Sequence, residues 1–232
     1  MATKQIISIG GGGFGRNPKA RLIERYILEQ CDKEKPNICF VSTASAEDSH
    51  YIVNFYHCFS GLSCQPTHLN FFERTPNLKS FIAKQDIIFV GGGNTKSMLG
   101  VWKEWKFDQL LLKAYEKGTI LCGVSAGAIC WFERCITDSW ASHLNLIEGL
   151  GFLEGTCCPH YDGEKNRKPT VSSYLESNAI LSCLAIDDDA AVHFKDGKIH
   201  SALNFGQNKA AYKIKKEGED ILEHKISSVD IL

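Results

Sequence analysis

Short apolar runs alternate with amphipathic stretches along the first half of the chain. Short runs rich in apolar or β-branched residues predict strands at 5–9, 37–41, 86–90 and 120–122, and a further strand is predicted at 65–69. Apolar residues at helical spacing predict helices at 18–30, 47–59, 78–84, 96–101 and 107–117. Continuous apolar strands that alternate with helices are typical of a mostly parallel sheet covered on both faces, so we predict a three-layer α/β fold.

The pattern changes after about residue 182. Segments 190–194 and 199–203 flank an Asp-Gly turn at 195–198, which predicts a β-hairpin. Segments 211–214 and 221–226 predict further short strands in antiparallel pairing. These strands either extend the main sheet or form a small terminal sheet. Because no linker or repeat interrupts the chain, we predict a single domain spanning residues 1–232.

Four polar or glycine-rich loops follow predicted strands. They are residues 10–15, 42–48, 91–95 and the turn at Ser125. Parallel sheets bind ligands beyond the carboxyl ends of their strands, so we expect all four loops at one edge of the sheet.

The turn at Ser125 has the strongest chemical signal. Residues 123–127 read Gly-Val-Ser-Ala-Gly, after an apolar run and before a small-residue run, 126–132, that predicts the start of a helix. This strand–turn–helix context holds a nucleophilic serine on a tight corner. The alternative is a serine that only caps a helix.

A serine nucleophile needs a base and a group that orients the base. His160 follows Pro159 after a short predicted strand and is the candidate base, with a purely structural histidine as the alternative. Asp138 is the candidate acid because it follows the predicted helix, where the chain turns back. Glu133 is its rival, about two turns along that helix.

Two loops offer backbone donors. The amide of Ala126 and the loop around Gly93 are candidate oxyanion donors, since glycine lets the backbone approach a reacting carbonyl. The loop at 10–15 fits G-x-G-x-x-G, but five glycines in six positions fit many patterns, and no acidic residue follows the second strand. Nicotinamide binding is therefore the weaker interpretation of that loop.

Composition narrows the class of protein. The 232 residues are 44% hydrophobic and 23% charged with a net charge of -1, which argues against nucleic acid or a membrane surface as the main partner. No apolar run reaches 18 residues, and the first predicted strand leaves little room for a secretory signal. Ten cysteines without a C-x-x-C pair indicate buried thiols, so we expect a cytoplasmic protein without a disulfide framework or metal site.

Three motifs together resemble the peptidase E family of α-aspartyl dipeptidases, relatives of the cyanophycinases. They are G-G-G-N-T at 91–95, G-V-S-A-G-A at 123–128 and C-P-H-Y at 158–161. The resemblance implies a class I glutamine amidotransferase-like (flavodoxin-like) fold and a cofactor-free serine peptidase acting on small peptides. It matches Ser125 to the nucleophile and His160 to the base, with Gly93 and Ala126 in the oxyanion region.

The resemblance leaves the acid and the substrate open. Asp138 lies 138 − 125 = 13 residues after Ser125, a little short of the family separation, and relatives with glutamate keep Glu133 as a candidate. Arg167 is a candidate to bind the side chain of a substrate aspartate, and its alternative is a solvated arginine in a charged loop. Asn94 and Thr95 are candidates to contact the polar ends of the substrate, and their alternative is to cap the next helix. The alternative functions are an esterase, a cyanophycinase-like enzyme and a non-catalytic binding protein. We expect the protein to be a monomer or a homodimer.

Overall fold

The computed structural model describes residues 2–17 and 19–231, and within them the chain forms fourteen strands and seven α-helices. The strands make one sheet of eight and one of six. The predicted mixed α/β class is confirmed at this level. Within the same described residues, no helix is long and apolar enough to cross a membrane.

The first sheet contains the parallel strands predicted from the first half of the chain. The five strands predicted in the first half of the chain run parallel to one another, and an antiparallel hairpin from the C-terminal part extends the sheet beyond the first of them. In spatial order the strands are β14 (Ser228–Asp230), β11 (Lys198–Asn204), β10 (Ala190–Lys195), β1 (Gln5–Ile9), β5 (Ile120–Val124), β4 (Ile87–Val90), β2 (Asn37–Val41) and β3 (Gln65–Leu69).

Helices cover both faces of this sheet because successive strand residues point to opposite sides. Ile6 packs in a cluster with Trp102 and Leu111, whereas Ile7 packs in a second cluster with Ile27 and Phe55. The helices are α1 (Leu22–Glu29), α2 (Ser49–Phe59), α3 (Leu78–Ile82), α4 (Thr95–Glu104), α5 (Phe107–Glu116), α6 (Ala126–Ile129) and α7 (Arg167–Glu176).

The second sheet was not predicted as a separate six-stranded unit. Three of its strands run parallel to one another, and a C-terminal antiparallel hairpin pairs with one of the three. In spatial order the strands are β13 (Asp220–Lys225), β12 (Ala211–Glu217), β9 (Ser182–Ile186), β8 (Leu153–Cys158), β6 (Phe132–Thr137) and β7 (Asn145–Glu148).

The two C-terminal hairpins are antiparallel as predicted, but they divide between the two sheets, and β14 pairs parallel with β11. The hairpin of β10 and β11 extends the first sheet, and the hairpin of β12 and β13 extends the second. Each hairpin therefore extends a larger sheet, and the alternative of a small terminal sheet is wrong for both hairpins. The predicted start of the first helix at Pro18 lies outside the described residues, and α1 begins at Leu22.

The predicted helix after Ser125 is much shorter than expected. Helix α6 ends at Ile129, and strand β6 begins at Phe132. The backbone leaves the helix because it finds partners elsewhere: Leu150 N–H donates to the Cys130 carbonyl and Gly149 N–H to the Glu133 carbonyl. Glu133 is consequently an exposed strand residue, not a helix residue.

The ten cysteines are free thiols distributed over both sheets, and eight of them are buried. Cys39 and Cys122 lie in strands of the first sheet, and Cys157 and Cys183 in strands of the second. Burial raises the pKa of all four of these thiols.

Candidate active site

Ser125 occupies a strained corner between β5 and α6. Its φ of 57° and ψ of −114° are unfavourable for a residue with a side chain, a cost of order 1–3 kcal/mol that the surrounding structure must offset. A Cβ on Gly127 would overlap the Val90 carbonyl, and a Cβ on Gly123 would overlap the Gly127 carbonyl. The two glycines therefore permit the tight packing that presents the serine at the end of the sheet.

His160 lies within hydrogen-bond reach of this serine. It follows β8 after Pro159, has a φ of 52°, and its side chain is nearly buried. The distance from His160 Nε2 to Ser125 Oγ is 2.8 Å. The two side chains come from different sheets, and the carboxyl ends of β5 and β8 bring them together.

The acid beside His160 is Asp188, in the loop between β9 and β10. His160 Nδ1 is 2.6 Å from Asp188 Oδ1. A carboxylate only accepts, so Nδ1 carries the proton and Nε2 is left to accept from the Ser125 hydroxyl. Burial tends to raise the pKa of Asp188, but hydrogen bonds from His160 and Arg16 outweigh it and hold the pKa well below its usual range.

The placement of Asp138 or Glu133 beside His160 is wrong. Asp138 is exposed in the loop after β6, with its Oδ1 3.9 Å from Arg167 Nη2. Glu133 accepts a hydrogen bond from Gly155 N–H at 2.8 Å. The cause is topological: β8 and β9 are parallel neighbours, so the residues following them, His160 and Asp188, meet at one edge.

The glycine loop at 10–15 lies behind the His160–Asp188 pair. Gly11 forms a bridge with Asp188, and Asp189 N–H donates to the Gly11 carbonyl at 2.9 Å. A Cβ on Gly11 would overlap Asp188 Oδ1 and approach His160 Nδ1 to 2.7 Å. Glycine is required here because the two side chains lie against its α-carbon.

Substituting Gly11 by alanine should therefore displace the histidine–aspartate pair. For the serine peptidase that the resemblance implies, we expect turnover to fall about 100-fold or more, since a 1 Å misplacement of catalytic groups has that effect. Gly100→Ala, in α4 with no atom within 4 Å of the added Cβ, is the matched control and should leave turnover unchanged. Steady-state kinetics on folded protein test this, and unchanged kinetics for Gly11→Ala would contradict it.

Two backbone amides near Ser125 are free to act as donors. Among the described residues, neither Ala126 N–H nor Gly93 N–H donates to another group of the chain. Ala126 is the first residue of α6, and Gly93 lines a cavity together with Ser125 and His160. This is the arrangement expected of oxyanion donors, which must be unpaired until the substrate arrives.

The side chains predicted to bind the substrate form hydrogen bonds with other residues of this chain. Asn94 caps α4 by accepting from Ser97 N–H, and Thr95 is buried against Thr137. Arg167 is 2% exposed and donates to Glu164 Oε2 at 2.8 Å and to the Ile136 carbonyl at 3.0 Å. Asn94 and Thr95 thus fit the helix-cap alternative, while Arg167 reaches the site but is already paired.

Two cavities meet at Ser125 and His160. The Arg16 cavity, about 360 Å³, lies on the side of α2, and the Arg167 cavity, about 320 Å³, lies on the side of the loop after β6. A larger cavity of about 950 Å³ lies at the opposite edge of the first sheet and contains none of these groups. The Arg16 cavity is lined further by Asp48, His50, Tyr51 and Asn54, and the Arg167 cavity by Asp138, Ser139 and Glu164.

Asp187 adjoins this site but is turned into the interior. Its Oδ2 accepts from Ala210 N–H at 3.0 Å, and among the described residues its buried Oδ1 has no partner. Burial, with a contribution from Asp162, raises the pKa of Asp187 to about 6. The folded state therefore holds a proton that the unfolded state releases near pH 4, and this contribution to stability is lost as the pH rises through about 6.

Replacing Asp187 by asparagine should remove this decrease in stability with rising pH, because asparagine does not titrate. We expect the free energy of unfolding of the parent protein to fall, relative to that of Asp187→Asn, by on the order of 2 kcal/mol between pH 4 and pH 7.5. Denaturant unfolding at both pH values measures the difference. Asp220→Asn, at an exposed position in β13, is the control. Parallel pH dependences for the parent and Asp187→Asn would contradict the assignment.

Comparison with known proteins decides the family. The family model of peptidase family S51 matches residues 6–202. The chain belongs to peptidase family S51. The resemblance to peptidase E is thereby confirmed, and the chain is assigned to a family of peptidases.

Relatives and solved structures agree with this assignment. The chain is 43% identical over 221 residues to the uncharacterized peptidase YgaJ of Bacillus subtilis, covering 95% of this chain and 96% of that protein. A candidate peptidase E protein from Listeria monocytogenes has a TM-score of 0.66 at 19% identity, covering 88% of this chain and 100% of that one. A peptidase from an acI-B1 Actinobacterium has a TM-score of 0.70 at 16% identity, covering 96% of both chains. The two structures establish likeness of fold.

Three residues at the site escaped the sequence analysis: Asp188, Arg16 and Gly11. Asp188 had a usable signal, because residues 187–189 are three consecutive aspartates directly after an apolar strand. Arg16 and Gly11 belong to the glycine loop, whose repeated glycines fit too many patterns. Their contacts with Asp188 depend on a pairing between distant segments that no local pattern encodes.

Proposed function

We propose that this S51 family member is a serine peptidase that cleaves small peptides through an acyl-enzyme at Ser125. The observation that carries the proposal is the continuous hydrogen-bonded series from Ser125 Oγ through His160 to Asp188, at 2.8 and 2.6 Å. A hydroxyl, an imidazole and a partly buried carboxylate in this order are the parts of a serine nucleophile with its base and orienting acid. Asp188 replaces Asp138 in that last role.

The mechanism follows from the direction of these bonds. Ser125 Oγ attacks the peptide carbonyl while His160 Nε2 takes its proton, and Asp188 stabilises the imidazolium that forms. The amides of Gly93 and Ala126 donate to the developing oxyanion. His160 then gives the proton to the departing amine as the C–N bond breaks. Water, deprotonated by His160, attacks the acyl-enzyme and releases the acid product and Ser125.

Small peptides suit the space around Ser125. The two adjoining cavities, of about 360 and 320 Å³, are each of the size of a small-molecule site. Asp-X dipeptides are the first substrates to test because of the family. A substrate aspartate that reaches Arg167 must share this guanidinium with Glu164.

Two further expectations belong to the same proposal. The parallel block of β1, β5, β4, β2 and β3, with apolar clusters on both faces, supports the amidotransferase-like layering. Strand β10 pairs with β1 in the first sheet and β12 pairs with β9 in the second, and these pairings of the C-terminal strands with both sheets support one domain.

A substrate panel tests the proposal. Asp-Leu, Ala-Leu and Lys-Leu, an acyl ester and cyanophycin are offered to the purified protein, and a fluorophosphonate probe is mapped by mass spectrometry. Dipeptide turnover with labelling at Ser125 supports the proposal. Turnover of the ester or polymer alone would favour the alternative hydrolases. A folded protein that neither turns over a substrate nor carries the label would be a binding protein.

A further inference from the structure

Arg16 stands at the end of the glycine loop, on the far side of Asp188 from His160. Its Nη1 donates to Asp188 Oδ2 at 2.6 Å, while His160 occupies Oδ1 of the same carboxylate. The Arg16 side chain is nevertheless 56% exposed. Among the described residues, its Nε and Nη2 groups donate to nothing, so the guanidinium has donors left for a ligand.

The free donors belong to a residue that lines the same cavity as the nucleophile. The Arg16 cavity includes Ser125, His160 and Arg16, and of its described lining residues Arg16 is the one with a permanent positive charge. The Asp48 carboxylate in this cavity already accepts from Tyr51 N–H as the cap of α2. An anionic group entering the cavity therefore meets an arginine whose fork suits a carboxylate.

The Arg167 cavity has the opposite character. Asp138 and Glu164 are exposed there, whereas the single cation, Arg167, is buried and bonded to Glu164 and the Ile136 carbonyl. This side suits a positively charged group, such as a free α-ammonium. The Arg16 cavity thus offers a guanidinium with free donors, and the Arg167 cavity offers exposed carboxylates, on either side of Ser125, as a short zwitterionic peptide would require.

We propose that Arg16 binds the free carboxylate of the amino acid released from the substrate, and so limits the enzyme to substrates with one residue after the cleaved bond. Backbone bond lengths place that carboxylate carbon only about 4 Å from the scissile carbonyl carbon of a dipeptide, within a cavity shared by Ser125 and Arg16. When His160 accepts the serine proton, the group of Arg16, Asp188 and His160 becomes net positive. The carboxylate is then held most strongly in the transition state.

The proposal rests on the proposed function, and its test compares Asp-Leu with Asp-Leu amide, which lacks the carboxylate. If the panel gives a better dipeptide, that dipeptide and its amide replace them. Wild-type protein should prefer the acid by 10-fold or more in kcat/KM. Arg16→Gln should lose at least 10-fold on the acid beyond any loss on the amide, so the preference falls toward one. Arg25→Gln, an exposed arginine of α1, is the control and should keep the preference.

The ratio of kcat/KM on the acid to kcat/KM on the amide distinguishes two roles of Arg16, binding the substrate carboxylate and positioning Asp188. If Arg16 only holds Asp188, the substitution lowers turnover of acid and amide equally, and the unchanged ratio overturns the proposal. Calorimetric binding of both ligands to Ser125→Ala, with and without Arg16→Gln, gives a reading independent of turnover, and equal affinity for acid and amide also overturns it. Absence of any wild-type peptide turnover contradicts the proposed function, whereas turnover without an acid preference contradicts only the role of Arg16.

Discussion

Ser125→Ala is expected to reduce peptide turnover by about 10⁴-fold or more, because removing the nucleophile of a serine–histidine–acid site has an effect of that size. Binding of the substrate should persist, since the cavities on both sides of the serine remain. The measurement is kcat for the purified variant, with its thermal unfolding recorded in parallel. Ser97→Ala, at an exposed position in α4, is the matched control and should be fully active.

A second variant at the same position separates chemistry from folding. Alanine keeps the strain of a φ of 57°, whereas Ser125→Gly relieves it and should unfold at a higher temperature, a gain of about 1 kcal/mol. Both variants should be inactive. Near-normal turnover by either one would remove Ser125 from the mechanism.

Asp188→Asn is expected to lower kcat by about 10³ to 10⁴-fold. The asparagine amide no longer fixes the proton on His160 Nδ1, and the wrong tautomer leaves Nε2 unable to accept from Ser125. The comparison is with Asp138→Asn and Glu133→Gln, the two acids that the sequence favoured, for which we expect changes below about tenfold. If Asp138→Asn has the larger effect, the geometry at His160 does not represent the reacting enzyme.

The pH dependence of the same variants adds a second reading. Since the pKa of Asp188 lies well below its usual range, Asp188 stays ionised as the pH falls through 4. A decline in wild-type kcat between pH 7 and pH 5 should therefore not reflect protonation of Asp188. The stabilisation from its charged form is present above pH 4 and is lost only as the pH falls through its low folded-state value.

The sequence predicted those parts of the structure that depend on local pattern. Strands β1, β2 and β3 have the predicted bounds, and the last four residues of β1 and of β2 are buried, as expected of strands covered on both faces. The Ser125 turn was recognisable because two glycines and a serine at fixed spacing have few other uses. His160 was found through its proline neighbour and the family resemblance.

The acid could not be found in the same way. Its identity depends on β8 and β9 being parallel neighbours in a second sheet, and that sheet was hidden by the assumption that a helix continued beyond Ser125. Once α6 ends at Ile129, Glu133 moves onto an exposed strand position and Asp138 onto a loop held by Arg167. The extent of the single domain, the oligomeric state and the cellular compartment stay predictions.

The buried thiols give this protein a set of internal reporters on its own unfolding. A thiol reagent reacts only with a cysteine that is ionised and accessible to solvent. Burial raises the thiol pKa and blocks access at two cysteines of the first sheet, Cys39 and Cys122, and at two of the second, Cys157 and Cys183. Pulse labelling followed by peptide mapping would therefore show which sheet opens first. Because Ser125 and His160 approach from different sheets, the order of labelling would also tell whether the site separates before either sheet comes apart.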